Sequence, residues 1–150
     1  MKIFIGADHR GVSLKLKIFN MLKARGHTVV DLGTNDENIP CDYPKVAYAV
    51  ASKVAKTKNS RGVLLCMSGI GQAMAANKVK GAYAALCTCP EMALLSRQHN
   101  NANILVLGAK FFKPKDLSAI LKNFLETKFE GGRHLRRVKQ IKQIEQGRKP

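Results

Sequence analysis

Apolar residues recur along the chain in two rhythms. Short dense runs of Ile, Val, Leu and Ala occupy 2–6, 28–32, 62–66, 82–86 and 103–107. Runs of that length, bounded by glycine or polar turn residues, predict buried strands. Between them the apolar positions fall at helical spacing, as with Leu14, Ile18, Met21 and Leu22 in 12–24. Further helices are predicted at 43–56, 72–79, 90–97, 115–125 and 133–146. Pro44 and Pro90 suit first turns, and Gly26 suits the stop of the first helix. Strand and helix alternate at the spacing of a parallel sheet with helices on both faces and right-handed crossovers. The chain has no internal repeat or linker and reads as a single domain, 1–150. The last helix is basic and weakly amphipathic, so it has little to bury against its own domain. It is assigned to packing on a partner subunit.

Composition narrows the class. A chain of 150 residues, 45% hydrophobic and 24% charged, is long enough for one real core. No apolar run is long enough to span a membrane. The N-terminal stretch reaches Asp8 before any signal-peptide pattern develops, so the expected location is the cytoplasm. There the four cysteines are expected to be thiols. Cys87-Thr88-Cys89 has no second Cys/His pair at zinc spacing, so no metal is expected. The formal charge of +16 opens two readings, a nucleic-acid surface or an anionic small-molecule substrate. The last 23 residues carry eight Lys/Arg against two acids, yet the rest of the chain is basic too. Nine aromatics, none interleaved with basic residues in the manner of RNA-binding modules, favour the small anion.

In an open parallel sheet, ligands bind beyond the carboxyl ends of the strands. Asp8 and His9 follow the first strand, and the stretch from Cys66 to Gly71 follows the third. Gly69 and Gly71 let backbone N–H groups face a ligand at a helix start, an arrangement suited to an anion. The loop is not a dinucleotide fingerprint, because its third glycine position is Met74 and it follows the wrong strand. Cys66 at such a junction is either a thiolate of lowered pKa or an inert buried thiol. Ser68 either relays protons or caps the helix. The polar run 96–103 offers His99 as an acid, with Asn100 and Asn101 as amide donors or as turn formers. Arg133 and Arg137 stand four apart on one helix face, beside His134, a spacing that clamps a phosphate or forms a solvated basic face. Taken together these groups describe a sugar-phosphate site.

Seven blocks carry a resemblance to a known family: "GADHRG" (6–11), "DLGT" (31–34), "DYP" (42–44), "CMSGIG" (66–71), "AANK" (75–78), "SRQHNNAN" (96–103) and "EGGRH" (130–134). In this order they resemble the family of ribose-5-phosphate isomerase B, which also holds galactose-6-phosphate and allose-6-phosphate isomerases. The resemblance implies a three-layer α/β/α sandwich, a Rossmann-like five-stranded parallel sheet in order 2-1-3-5-4. It implies an aldose–ketose isomerase without metal or cofactor, acting on D-ribose 5-phosphate, with a six-carbon sugar phosphate as the alternative; the charge of +16 keeps nucleic-acid binding on the same fold as another. It implies a homodimer or homotetramer with the site between subunits and the 133–137 arginines given across the interface.

The resemblance also implies roles. Cys66 would be the base that moves a proton between C1 and C2, and Ser68 would shuttle protons between O1 and O2. His99 would open the furanose ring, with Asp8 holding sugar hydroxyls. The amides of Met67, Gly69, Ile70 and Gly71, with Asn100, would hold the enediolate oxygen. His9, Arg133 and Arg137 would bind phosphate, and Tyr43 would line the pocket. Three positions depart from the family pattern. Met67 replaces a small residue. Lys110 stands where Arg is frequent, keeping the charge without the bidentate fork. Gln72 stands where some relatives place a Glu base, which assigns this chain to the cysteine type.

Overall fold

The computed structural model describes residues 1–150. Its five strands are β1 (Lys2–Ala7), β2 (Thr28–Asp31), β3 (Arg61–Cys66), β4 (Ala84–Leu86) and β5 (Ile104–Gly108). The helices are α1 (Val12–Ala24), α2 (Tyr43–Lys56), α3 (Ile70–Ala76), α4 (Pro90–Gln98), α5 (Leu117–Glu126) and α6 (Gly132–Glu145). The strands form one sheet in the order β2-β1-β3-β5-β4, every pair parallel. Both the order and the three layers match the expectation.

Alternation along each strand divides the core. Ile3, Ile5, Val63, Leu65, Leu105 and Leu107 face α1, α4 and α5, where Ile18, Leu22, Ile120, Leu121 and Phe124 complete one cluster. Phe4, Leu64, Ile104 and Val106 face the other way, onto Val46, Val50 and Val54 of α2 and Ala76 of α3. The odd-even switch is the pleat of a strand buried on both faces.

Four element boundaries differ by two residues or more from the periodicity reading, each for a local reason. Helix α3 begins at Ile70 rather than 72, because Gly69 at φ +84° turns the chain straight into it. It stops at Ala76 because Asn77 turns outward and its amide brackets Ala84, accepting from Ala84 N–H at 2.8 Å and donating to Ala84 C=O at 2.9 Å. That bracket also delays the start of β4. Helix α5 starts at Leu117 because Pro114 opens a single 3₁₀ turn before it.

The last helix also makes contacts within its own chain. It is held on its own chain, where His134 and Val138 are its buried residues. Its far end is tied by Glu145, whose Oε1 accepts from Gly81 N–H at 2.6 Å. Between these points Ile141 and Ile144 stand over a cleft of about 430 Å³ floored by Tyr83 and Ala82.

One buried charge holds the loop after β2. Lys15 on α1 is 2% exposed, and its Nζ lies 2.5 Å from Asp31 Oδ2. The same ammonium donates to Thr34 C=O and Asn35 Oδ1, both at 2.6 Å. All three donors are therefore used, which is the condition for a buried cation to be tolerated. Lys15→Met keeps the stem and deletes the charge, leaving three acceptors unpaired; it is expected to lower the unfolding free energy by about 2–3 kcal/mol. A reduced urea midpoint would register this, and an unchanged midpoint would mean the pair contributes nothing.

Candidate active site

Strand direction gathers the first group of site residues at one edge of the sheet. Asp8 leaves the carboxyl end of β1 and Cys66 ends β3. Ala7 pairs with Leu65 in the register, and Asp8 N–H donates to Leu65 C=O at 3.3 Å. Gly11 makes this approach feasible, since a Cβ there would stand 2.6 Å from the Leu65 oxygen. Asp8 caps the one-turn segment that follows, accepting from Arg10 N–H at 2.9 Å. His9 is fixed by the loop after β2, its Nδ1 accepting from Cys41 N–H at 3.2 Å. That contact sets the neutral tautomer, so Nε2 carries the hydrogen it would offer an anion.

The 66–71 loop is anchored on both sides. Ala109 N–H donates to Cys66 C=O at 2.8 Å, and Lys110 N–H to Met67 C=O at 3.3 Å. Gly108 lets the loop cross, because any side chain there would collide with the Ser68 backbone. The Tyr43 ring lies on Gly71, whose absent Cβ would be 2.5 Å from Tyr43 Cζ. Tyr43, Met67 and Ile70 line an exposed rim. Ser68 Oγ accepts from Ile70 N–H at 3.4 Å, a cap on α3 in this state.

Cys66 is 5% exposed, and its Sγ accepts from Gly69 N–H at 3.1 Å. Burial pushes the thiol above its ordinary range; the Gly69 amide opposes this, and the neighbouring Asp8 charge adds to it. The direction is opposite to the lowered pKa that was one of the two expectations for Cys66. Asp8 is raised as well, by burial, against the Arg10 N–H and the charge of His9. Gln72 is fully buried beside this loop, with both amide atoms unpaired.

The second group lies at the other edge. Helix α4 starts after the carboxyl end of β4 and runs back nine residues to His99. Beyond His99 the chain turns and enters β5 at Ile104, which pairs with Gly62 at the start of β3. Cys66 lies four residues further along that strand, a rise of about 13 Å. So His99 and Asn100 share an end with the amino termini of the strands, and within one chain they do not meet Cys66. Arg133 and Arg137 join them there. Glu130 N–H donates to Gln98 C=O at 3.1 Å, which brings the start of α6 against the end of α4. The His99 and His134 rings stack at 4.1 Å, parallel within 5°. His99, Asn100, Arg133 and Arg137 therefore form one group at this edge, apart from the Cys66 loop.

Two residues here are buried, which the sequence reading did not foresee. Arg97 turns inward, 4% exposed, donating to the carbonyls of Ala102 and of Thr127 and lying over Phe124. Burial and the nearby Arg61 charge push it down to about 10. It shapes the turn that presents His99, and nothing in a polar run marks one arginine as internal. His134 is 5% exposed, and Glu130 is its acidic neighbour. Ligand atoms of His99, Glu130 and His134 lie within 4.8 Å of one another. Imidazole binds a metal through a lone pair in the ring plane, and two face-to-face rings do not aim at one ion.

Fold and site together define an α/β protein with a cysteine and an amide loop at the carboxyl edge of a parallel sheet. The family model of the ribose/galactose isomerases matches residues 3–141. The chain is 46% identical over 140 residues to a probable ribose-5-phosphate isomerase B of Mycoplasma genitalium, covering 93% of this chain and 92% of that one. It is 42% identical over 147 residues to ribose-5-phosphate isomerase B of Escherichia coli, covering 98% of each. A crystal structure of the Mycoplasma genitalium enzyme with bound ribulose-5-phosphate superposes with a TM-score of 0.92 at 45% identity, covering 97% of this chain and 96% of that one. The chain belongs to the ribose/galactose isomerase family.

The thiols provide a direct check. Burial raises Cys87 to about 11, with the hydroxyl of Ser96 opposing it. In the folded protein, iodoacetamide is expected to label Cys66 slowly at pH 7 and faster as pH rises, as the raised thiol ionises. Cys87 should stay unlabelled across that range. Peptide mass spectrometry reads both sites, and labelling of Cys66 that does not change with pH would contradict its raised thiol.

Proposed function

We propose that this chain interconverts D-ribose 5-phosphate and D-ribulose 5-phosphate through a cis-enediolate, with each active site built from two copies. The observation that carries the reaction is the buried Cys66 thiol at the carboxyl end of β3, with the Gly69 amide on its sulfur. Proton transfer next to a carbonyl needs a base at the carbon and donors where oxyanion charge develops. The Cys66 thiolate takes the proton from C2 of the open aldose and returns it at C1. The raised thiol has to ionise first, so the rate climbs with pH on the alkaline side until the thiol has titrated.

In this reading amides of the loop from Met67 to Gly71 receive the enediolate oxygens, that of Ile70 once Ser68 Oγ has released it. Ser68 Oγ moves a proton between O1 and O2 once it leaves its capping contact. Asp8, beside Cys66, holds sugar hydroxyls. Tyr43 closes one wall, and His9 offers Nε2–H to the phosphate together with Lys110.

Ring opening calls for an acid on the ring oxygen, and His99 is placed for it only if a second copy supplies it. The two halves of the site occupy opposite edges of one sheet, so a symmetric pair that puts the amino edge of one copy against the carboxyl edge of the other completes two sites at once. The partner then brings its His99, Asn100, Arg133 and Arg137, the last two as the phosphate clamp. Exposed apolar side chains on α2 and α3 (Tyr43 and Tyr48, Ile70 and Met74) supply a surface for that contact. A homodimer, or a tetramer made of two, meets the requirement. A cytoplasmic location suits a thiol base.

Cys66→Ala is expected to reduce ketose formation from ribose 5-phosphate by at least about 100-fold, as loss of a general base does. Ordinary turnover by that variant would remove Cys66 from the mechanism. Complementation tests the shared site. Cys66→Ala and His99→Asn chains, each inactive alone, should on co-folding recover about a quarter of wild-type activity, because half the dimers are mixed and each mixed dimer holds one intact site. No recovery would place both residues in one chain's site.

A further inference from the structure

His99 has a companion to which no role in the reaction has been assigned. His134 is 5% exposed, at the start of α6, and its ring lies face to face with His99 at 4.1 Å. Its Nε2 accepts a long hydrogen bond from Arg133 Nε at 3.4 Å. Glu130 Oε2 stands 3.7 Å from the same nitrogen, outside hydrogen-bond reach.

We propose that His134 is the positioning residue for ring opening: its face fixes the plane of the His99 imidazole, and its Nε2 ties that acid to the phosphate-binding Arg133. The inference rests on His99 being the ring-opening acid. An imidazole that donates to a ring oxygen must present one N–H along a narrow line, and a ring free to rotate spends little time there. Stacking on a buried neighbour removes that freedom without using either His99 nitrogen. The ring is thus oriented while both nitrogens stay available for chemistry.

The arrangement requires a neutral His134. Only the neutral ring has a lone pair on Nε2 for Arg133, and two stacked imidazoliums would repel. The charges facing His134 are His99 at the end of α4, Arg133 and Arg137 on α6, and Glu130 before it. Burial lowers the affinity of His134 for a proton, with His99 and the two arginines adding to the effect and Glu130 opposing it.

The chemistry of the two substrates separates this role from a structural one. Ribose 5-phosphate is a closed furanose that must open. Ribulose 5-phosphate has its O5 esterified and stays open, so exchange of its C1 hydrogen with heavy water needs the base and the anion loop but no ring opening. His134→Ala is expected to slow ribose 5-phosphate consumption by about tenfold while C1 exchange stays within about twofold of wild type. His134→Phe retains a flat buried ring and should recover part of the loss, falling short of wild type because Arg133 has lost its acceptor. It also serves as the deciding variant if the alanine protein does not fold. Parallel loss of both reactions in His134→Phe would make His134 a structural residue and overturn the proposal, as would unchanged ribose consumption. His99→Asn, run alongside, tests the premise. If it too leaves ribose consumption intact, the ring-opening reading fails instead.

Discussion

A parallel strand delivers its carboxyl end to one edge of the sheet, and each crossover helix must carry the chain back to the other before the next strand begins. That constraint organises everything functional in this molecule. Residues just after a strand collect at the carboxyl edge, which is why Asp8, Cys66 and Lys110 share a surface although they are far apart in sequence. Residues just after a helix collect at the opposite edge, and His99 and Asn100 are of that kind. No side-chain rearrangement moves them across a sheet about four residues tall. A reaction that uses both sets needs a second copy of the chain, so dimerisation under the proposed mechanism is part of the chemistry and not an addition to it.

Within each half, burial acts in one direction. Asp8 and Cys66 are raised and His134 is lowered, so all three are pushed towards their neutral forms. A low-dielectric pocket disfavours charge whatever its sign. Local donors work against this, as the Gly69 amide does on Cys66. Apart from the buried Lys15 and Arg97, most of the positive charge lies towards the surface, where Lys110, Arg133 and Arg137 are exposed. There it attracts an anion without having to be carried into the core.

Much of the framework was legible in the residues. Strand and helix positions follow from apolar spacing because each is decided within a few residues. The carboxyl-edge rule then picked Asp8, His9 and the 66–71 loop without any distance being known. Boundaries shifted where a single side chain intervened, as at Asn77, whose amide stands in for a strand partner of β4. The inward turn of Arg97 and the burial of His134 were illegible, because a basic residue in a polar run looks the same whether its neighbours are water or carbonyls from a distant segment.

The sequence alone determined which segments are strands and helices, and that an amide loop with a cysteine ends the third strand. It also carried the blocks that tie the chain to its family. The tertiary structure decided that His99 stacks on His134, that Glu145 of α6 reaches back to Gly81, and that the site residues divide between two edges. Local periodicity is set by neighbours in the chain, whereas these three outcomes depend on sheet order and helix direction, which only long-range packing establishes.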